Sequence, residues 1–285
     1  MSERFFKYHG LGNDFVVLDR RASGLDLTPS QARHWCDRHR GVGADGVLVL
    51  LPAAAAAARM VVHNPDGSIA EMCGNGLRCA VKYLVEHAAE RATRVSVVTG
   101  AGTLESEVHW NDNQAVEFTV DMGPAQLVSR LLPSGTSGDP FVDAPIPGFA
   151  GLRGTAVSMG NPHLVLLGQP LEDGPLLGPR LEYAEGFPER TNVEFVQPLS
   201  VGLEQGLEVV VWERGAGLTE ACGTGACAAA AAAVHQQQLP ADTFLPVRLP
   251  GGPLSIRVRR DLGKVWMRGP AVFLFEALVP AWAGH

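Results

Sequence analysis

One short phrase occurs twice in this chain, as Glu71-Met72-Cys73-Gly74-Asn75-Gly76 and as Glu220-Ala221-Cys222-Gly223-Thr224-Gly225. Both copies read Glu-x-Cys-Gly-x-Gly, and their cysteines lie 149 residues apart in a chain of 285. The flanking residues extend the repeat. Gly12-Asn13 places an asparagine 60 residues before Cys73, and Gly160-Asn161 places one 61 residues before Cys222. Asn64 and Glu213 each precede their cysteine by nine. Features matched in the same order imply duplicated halves with pseudo-two-fold symmetry. A site between such halves would receive one thiol from each, a matched acid/base pair facing one substrate.

Each phrase opens a stretch of helical composition, residues 76–89 and residues 225–235. The second is nearly all alanine, the strongest helix former, with side chains small enough to pass close to surrounding strands. Strand patterns occupy residues 15–18, 47–51, 61–62, 104–108 and 115–120, with a turn at Asn111-Asp112-Asn113. Further strands are expected at 154–159, 163–167, 192–196, 207–212, 254–258 and 264–267. Residues 53–58 read as a loop or a short helix. Residues 134–151 are dense in Gly, Pro, Ser and Asp and read as a surface loop. The fold class expected is α/β (α+β), in two similar, pseudo-symmetric domains.

Length alone suggests two domains. Hydrophobic residues at 46% and charged residues at 19% are those of a globular protein. A net charge of −7 argues against a nucleic-acid partner, which needs a basic patch. The polar start lacks the apolar stretch of a signal peptide, and no run approaches the 18 apolar residues of a membrane span. A cytoplasmic protein with no membrane or nucleic-acid partner is therefore expected. The five cysteines, an odd number, point to reduced thiols rather than a disulfide framework.

A free thiol is a weak base, but a helix N-terminus favours its thiolate. The glycines beside Cys73 and Cys222 let backbone N–H groups approach a carboxylate, as helix N-termini do for anions generally. The same N–H groups would stabilise the enolate-like charge left when an α-proton departs. One thiolate and one thiol then suffice to invert an amino-acid α-carbon. The bland alternative makes each Cys-Gly-x-Gly a tight turn only; the duplication argues against it. Cys36, Cys79 and Cys227 read as small buried hydrophobes. A zinc site built on Cys73, Cys79, Cys222 and Cys227 fits poorly, because the offsets splay each pair apart. Neither a metal nor a cofactor is expected. Asn13, Asn64, Asn75, Asn161 and Asn192 are singly turn or cap residues. With Glu213-Arg214 they would suit a zwitterion, Arg taking carboxylate and Glu with amide oxygens taking ammonium. His163 is either a cap or surface histidine or, the favoured reading, a charge partner for a cysteine.

These residues fall within seven ordered motifs. They are His9-Gly-Leu-Gly-Asn-Asp-Phe15, Arg40-Gly-Val-Gly-Ala-Asp45, Asn64-Pro-Asp-Gly-Ser68, Met72-Cys-Gly-Asn-Gly-Leu-Arg-Cys79, Met159-Gly-Asn-Pro-His163, Arg190-Thr-Asn-Val-Glu-Phe195, and Trp212-Glu-Arg-Gly215 continuing through Glu220-Ala-Cys-Gly-Thr-Gly225. With them the chain resembles the diaminopimelate epimerases over nearly its whole length. The resemblance implies a cofactor-free, two-base epimerase interconverting LL- and meso-2,6-diaminopimelate in lysine and cell-wall precursor synthesis, commonly a homodimer. It implies two domains, each a β-sheet or barrel wrapped around a central helix, here residues 1–122, to which 270–285 would return, and residues 123–269. By the resemblance Cys73 and Cys222 are the acid/base residues, with His163 and Glu213 tuning them. Asn13, Asn64, Asn161, Asn192, Glu213 and Arg214 would contact substrate side groups. Gly74-Asn75 and Gly223-Thr224 would bind the reacting end through N–H groups. Some members carry Gln after the Asp of the Gly-x-Gly-x-Asp segment; this chain has Gly46, so that contact is absent.

Two rivals remain at this point. Proline and hydroxyproline racemases share the two-cysteine scheme but usually show His after the first Cys-Gly, where this chain has Asn75. A non-catalytic metal- or ligand-binding protein is the rival from another class.

Overall fold

The computed structural model describes residues 2–70, 72–87, 91–133, 139–201 and 204–280. Glu71 of the first phrase, Ala88 and Ala89 of the first expected helix, part of the expected 134–151 loop (134–138) and the last five residues lie outside the described residues. The chain divides into two compact units, Met1–Val120 with Gly269–His285, and Asp121–Arg268.

In chain order the first unit contains β1 (Ser2–Gly10), β2 (Asn13–Asp19), α1 (Pro29–Cys36), β3 (Gly46–Leu51), β4 (Ala58–His63), β5 (Ile69–Ala70), α2 (Gly74–Glu86), β6 (Arg94–Thr99), β7 (Gly102–Asn111) and β8 (Gln114–Asp121). The second contains β9 (Ala144–Pro145), β10 (Arg153–Ser158), β11 (Pro162–Leu167), α3 (Gly174–Leu181), β12 (Asn192–Val201), β13 (Glu204–Glu213), β14 (Gly217–Thr219), α4 (Gly223–His235), β15 (Phe244–Leu249), β16 (Gly252–Val258) and β17 (Val265–Pro270). The last strand, β18 (Val272–Pro280), returns to the first unit and pairs antiparallel with β1.

The two units have one topology. In the first, β1–β2 is antiparallel, β2–β3 parallel, β3–β4 antiparallel, β4–β6 parallel, and β6–β7–β8 an antiparallel meander. In the second, β10–β11, β11–β12, β12–β13, β13–β15 and β15–β16–β17 repeat that order of directions. The short β5 and β14 flank β4 and β13 alike. Parallel neighbours need a crossover. The α1 and α3 segments supply the first crossover of each unit, and α2 and α4 the second.

Both central helices are buried nearly all round, so neither shows the polar stripe of a surface helix. Helix α4 manages this with alanine: Ala226 and Ala228–Ala233 are all inaccessible, and strands β10–β13, β15 and β16 pack against it. Helix α2, against β1–β4 and β6, is instead buried with two cations aboard. Lys82 Nζ donates to the Ala115 carbonyl at 2.6 Å and pairs with Glu86 at 2.6 Å. Arg78 Nε donates to the Pro270 carbonyl at 3.0 Å. Strand β3, buried at every residue, is the apolar run that a strand covered on both faces requires.

Several elements escape the sequence patterns. Helix α1 starts at a capping box that was there to be read: Thr28 Oγ1 accepts from Gln31 N, Gln31 Oε1 accepts from Thr28 N, and Pro29 follows the cap. Residues 53–57 form no helix. The stretch expected to be a loop, 134–151, contains β9, held antiparallel to β10.

Candidate active site

Both phrases fold alike. Each cysteine is the extended N-cap of its central helix, with φ −140° and ψ 112° at Cys73 and φ −108° and ψ 108° at Cys222. Each sulfur accepts the N–H of the third residue on, Gly76 or Gly225, at 3.4 Å. Cysteine thus takes the place that Ser, Thr or Asp usually fills at a helix start, and the helices begin at Gly74 and Gly223, two residues earlier than the patterns suggest. The last glycine of each phrase is needed for space. A Cβ on Gly76 would lie 2.9 Å from Leu48 Cδ2, and one on Gly225 would lie 2.9 Å from Glu194 Oε1.

The surroundings differ. Cys73 is half-buried and Cys222 is buried. Burial pushes the Cys222 thiol well above its ordinary range, and the Glu213 charge pushes it the same way. Hydrogen bonds from Gly225 N–H and Thr224 act in the opposite sense and lose. At Cys222 desolvation therefore outweighs the helix terminus and favours the thiol. Burial also raises the Cys36 thiol to about 11 and the Cys79 thiol to about 12, as suits core residues.

In the first unit Asn75 Nδ2 donates to Asn13 Oδ1 at 3.4 Å, joining the start of β2 to the first turn of α2. Arg78, fully buried, holds the other end of Asn75 through its Oδ1 at 3.0 Å. Asn13 Nδ2 donates to Asp45 at 3.2 Å, so a carboxylate fixes which way that amide faces. Asp45 and Asp14 share Arg38, at 2.7 Å each, and Lys7 closes on Asp14. Burial of Asp14 works against its ionisation, but Arg38 and Lys7 hold its carboxyl down at about 2. Asn64 closes the turn after β4, its Nδ2 donating to Ser68 Oγ at 2.9 Å. At Gly46 a Cβ would stand 3.0 Å from the His63 carbonyl oxygen, so the position has little room for a longer side chain.

In the second unit a chain of contacts ends on the cysteine. His163, inaccessible, sits 2.6 Å from Glu194 Oε1 through Nδ1 and 3.0 Å from Asn161 Oδ1 through Nε2. Asn161 Nδ2 donates to Thr224 Oγ1 at 3.4 Å, and Thr224 Oγ1 lies 3.5 Å from Cys222 Sγ. His163 thus reaches Cys222 through two intervening side chains. Asn192 is a brace: its Nδ2 donates to the Pro162 carbonyl at 2.9 Å and its Oδ1 accepts Arg214 N–H at 3.0 Å. Glu213 accepts from Thr219 Oγ1 at 2.6 Å. Arg214 is held at the Glu189 carbonyl at 2.7 Å. Asn161, His163, Asn192, Glu213, Arg214 and Cys222–Thr224 are therefore gathered within one unit, and Asn13 with Cys73–Asn75 within the other.

Sequence reasoning missed the carboxylates behind these residues. Glu182 accepts from Trp212 Nε1 at 2.9 Å, Gly215 N at 3.1 Å and Arg190 at 3.0 Å, gripping both sides of Glu213-Arg214. Asp26 holds His63, just before Asn64, at 2.8 Å. Both brace the residue before the ninth-from-cysteine position, and no short-range pattern connects either to its partner. Among the described residues no three His, Cys, Asp or Glu side chains gather as metal ligands.

A profile of the diaminopimelate epimerase family matches residues 5–128 and 155–274 of this chain. The chain belongs to the diaminopimelate epimerase family. A diaminopimelate epimerase of Magnetococcus marinus is 46% identical over 280 residues, covering 97% of this chain and 96% of that protein. Another member of the family, from Synechococcus elongatus, is 45% identical and covers 97% of this chain and 98% of its own length. Among solved structures, a Bacillus anthracis phenazine biosynthesis protein of the PhzF family superposes with a TM-score of 0.72 at 16% identity, covering 98% of this chain and 99% of its own. A hydroxyproline epimerase from Agrobacterium vitis gives 0.70 at 17% identity, covering 98% and 91%. At these identities the structural likenesses speak for the fold alone, which this chain shares with those proteins.

Proposed function

We propose that this chain is a diaminopimelate epimerase, interconverting LL- and meso-2,6-diaminopimelate by a cofactor-independent mechanism with Cys73 and Cys222 as the two acid/base groups. One sulfur, as thiolate, takes the α-proton from one face of the carbon, and the electron pair delocalises into the carboxylate. The other sulfur, as thiol, returns its proton to the opposite face. The sulfurs exchange protonation states, and the next turnover runs from the other isomer. The observation that carries this reading is the matched placement of two thiols, each capping a central helix and each followed by N–H groups able to hold that carboxylate.

In this reading Gly74-Asn75 and Gly223-Thr224 bind the reacting end. Asn13, Asn64, Asn161, Asn192, Glu213 and Arg214 recognise side groups, and His163 and Glu213 tune the thiols. The product serves lysine and peptidoglycan precursor synthesis in the cytoplasm. No helix among the described residues is long and apolar enough to cross a membrane. A homodimer is the oligomer we propose, through β18. Its Val272, Phe273, Leu274, Phe275 and Leu278 are all large, apolar and exposed, the kind of patch that a partner covers.

The test is α-proton exchange in deuterated water with LL-diaminopimelate and no added cofactor. Deuterium entering at one stereocentre with formation of the meso isomer is expected. Absence of exchange rejects the reaction and the substrate together.

A further inference from the structure

Position by position, the registers of the two units align Phe15 with His163, Gly46 with Asn192 and Leu48 with Glu194, because each set follows the same parallel pairing, β2–β3 or β11–β12. In the first unit the corresponding residues are therefore apolar, Phe15 and Leu48, and the end of Leu48 lies against Gly76 in the first turn of α2. In the second unit they are His163 and Glu194, both inaccessible. Nothing in the duplicated fold requires this exchange, since the apolar pair supports the same turn in the other unit. The proposed roles of the other site residues leave Glu194 unassigned.

The hydrogen bonds indicate what it does. Asn13 and Asn161 are matched, yet their amides face opposite ways. Asn13 turns its oxygen to the first helical turn because its nitrogen goes to the Asp45 carboxylate. Asn161 turns its nitrogen there, to Thr224, and its oxygen to His163 Nε2. An amide oxygen only accepts, so Nε2 must carry a proton. Nδ1 faces a carboxylate oxygen at 2.6 Å, and a proton lies between them as well. The pair thus holds two protons and is neutral as a whole, wherever the shared one sits. A lone neutral imidazole offers one N–H and one acceptor, which cannot satisfy both oxygens.

We propose that Glu194 is a positioning residue: it shares a proton with His163 Nδ1, which leaves Nε2–H for Asn161, and so fixes the direction of the Asn161 and Thr224 hydrogen bonds that end on the Cys222 sulfur. The proposal rests on the epimerase reading for its kinetic consequence, but not for its spectroscopic one. The titratable groups facing Glu194 are His163 from β11, Glu213 from β13 and Cys222 at the head of α4. Burial raises the Glu194 carboxyl and Glu213 adds to the rise, while His163 opposes it. Glu194 Oε2 is buried with no hydrogen-bond partner among the described residues. That single-sided use of a carboxylate is understandable if its task is the proton on Oε1.

The experiment uses the full chain with ¹⁵N-labelled histidine, the His163 resonances being assigned by their loss in His163→Asn. In wild-type protein Nε2 should read as protonated at pH 7, with Nδ1 in a shared-proton hydrogen bond. A His163 with a bare Nε2 at pH 7 overturns the proposal without any variant at position 194. Glu194→Gln has no carboxyl proton to share: its amide either donates to Nδ1 or accepts from Nδ1–H. The Nδ1 resonance should then move to that of a wholly bare or a wholly protonated nitrogen, and kcat should fall about tenfold to a hundredfold. A Glu194→Gln protein that folds, has lost activity, and yet keeps the wild-type nitrogen spectrum would reduce Glu194 to packing and overturn the proposal. If wild-type protein shows no α-proton exchange, the epimerase reading fails while the nitrogen spectrum still decides the protonation.

Discussion

Glu194 lies directly beneath Gly225: its Oε1 would be 2.9 Å from a Cβ at that glycine, closer than packed atoms approach. The matched glycine, Gly76, has the end of Leu48 at the same 2.9 Å. A leucine methyl can rotate away, whereas the Glu194 oxygen is tied to His163. Gly225→Ala should therefore destabilise by about 1–3 kcal/mol and lower kcat at least about tenfold, with Gly76→Ala at the low end of that stability range. Urea unfolding and the exchange assay on both variants check this; equal effects would contradict the asymmetry.

Cys73→Ala and Cys222→Ala should each lower epimerisation by about a hundredfold or more, the scale of lost acid/base catalysis. The fold should survive, since each sulfur's capping bond is replaceable by water or slight fraying. Circular dichroism with turnover measurements tests both statements. Near-wild-type turnover in either variant would sink the two-thiol scheme.

Stability should fall on the acid side through Asp14. Its folded carboxyl, held at about 2 against the ordinary 3.8, binds protons less readily than the unfolded chain does. The stabilisation is therefore present above about pH 4 and lost as pH falls towards 2, amounting to at most about 2 kcal/mol. Asp14→Asn should flatten this part of a urea midpoint–pH curve.

On the alkaline side the sign reverses in position but not in outcome. Cys79 is raised to about 12 and Cys36 to about 11, from 9.0, by burial. The unfolded chain loses these protons first, so stability should be level below about pH 8.5 and decline above it. Cys79→Ala should remove part of that alkaline slope in the same urea series.

Replacing Phe273 and Phe275 with Glu should leave the protein monomeric in sedimentation at concentrations where the wild type is a dimer. These rings are 41% and 47% exposed and otherwise pack on Tyr8 and Phe5, so circular dichroism checks that the variant is still folded. A monomeric wild type would remove β18 as a dimer surface.

The doubled phrase was legible because its chemistry is local. A cysteine before Gly-x-Gly, followed by helix-forming residues, makes an N-cap from contacts within four residues. The alanine run declared its own burial, and the matched spacings declared the duplication, which the repeated strand order bears out. Thr28-Pro29-Ser30-Gln31 carried an equally local signal for α1. Residues 53–57 and the segment around β9 read poorly because their partners decide them.

What the sequence determined by itself was therefore the repeated turn, the central helices and the residue types at the site. How those residues are poised depends on contacts between distant parts of the chain. His163 and Glu194 stand 31 residues apart and meet because β11 and β12 pair in one register. Glu182 grips the segment around Glu213-Arg214 from the far end of α3. The rise of the Cys222 thiol comes from burial, a property of the whole surrounding unit. Capping and helix propensity act over a few residues and can be read along the chain. Desolvation and carboxylate pairing depend on which distant residues the sheet brings alongside, so they exist only once it has formed.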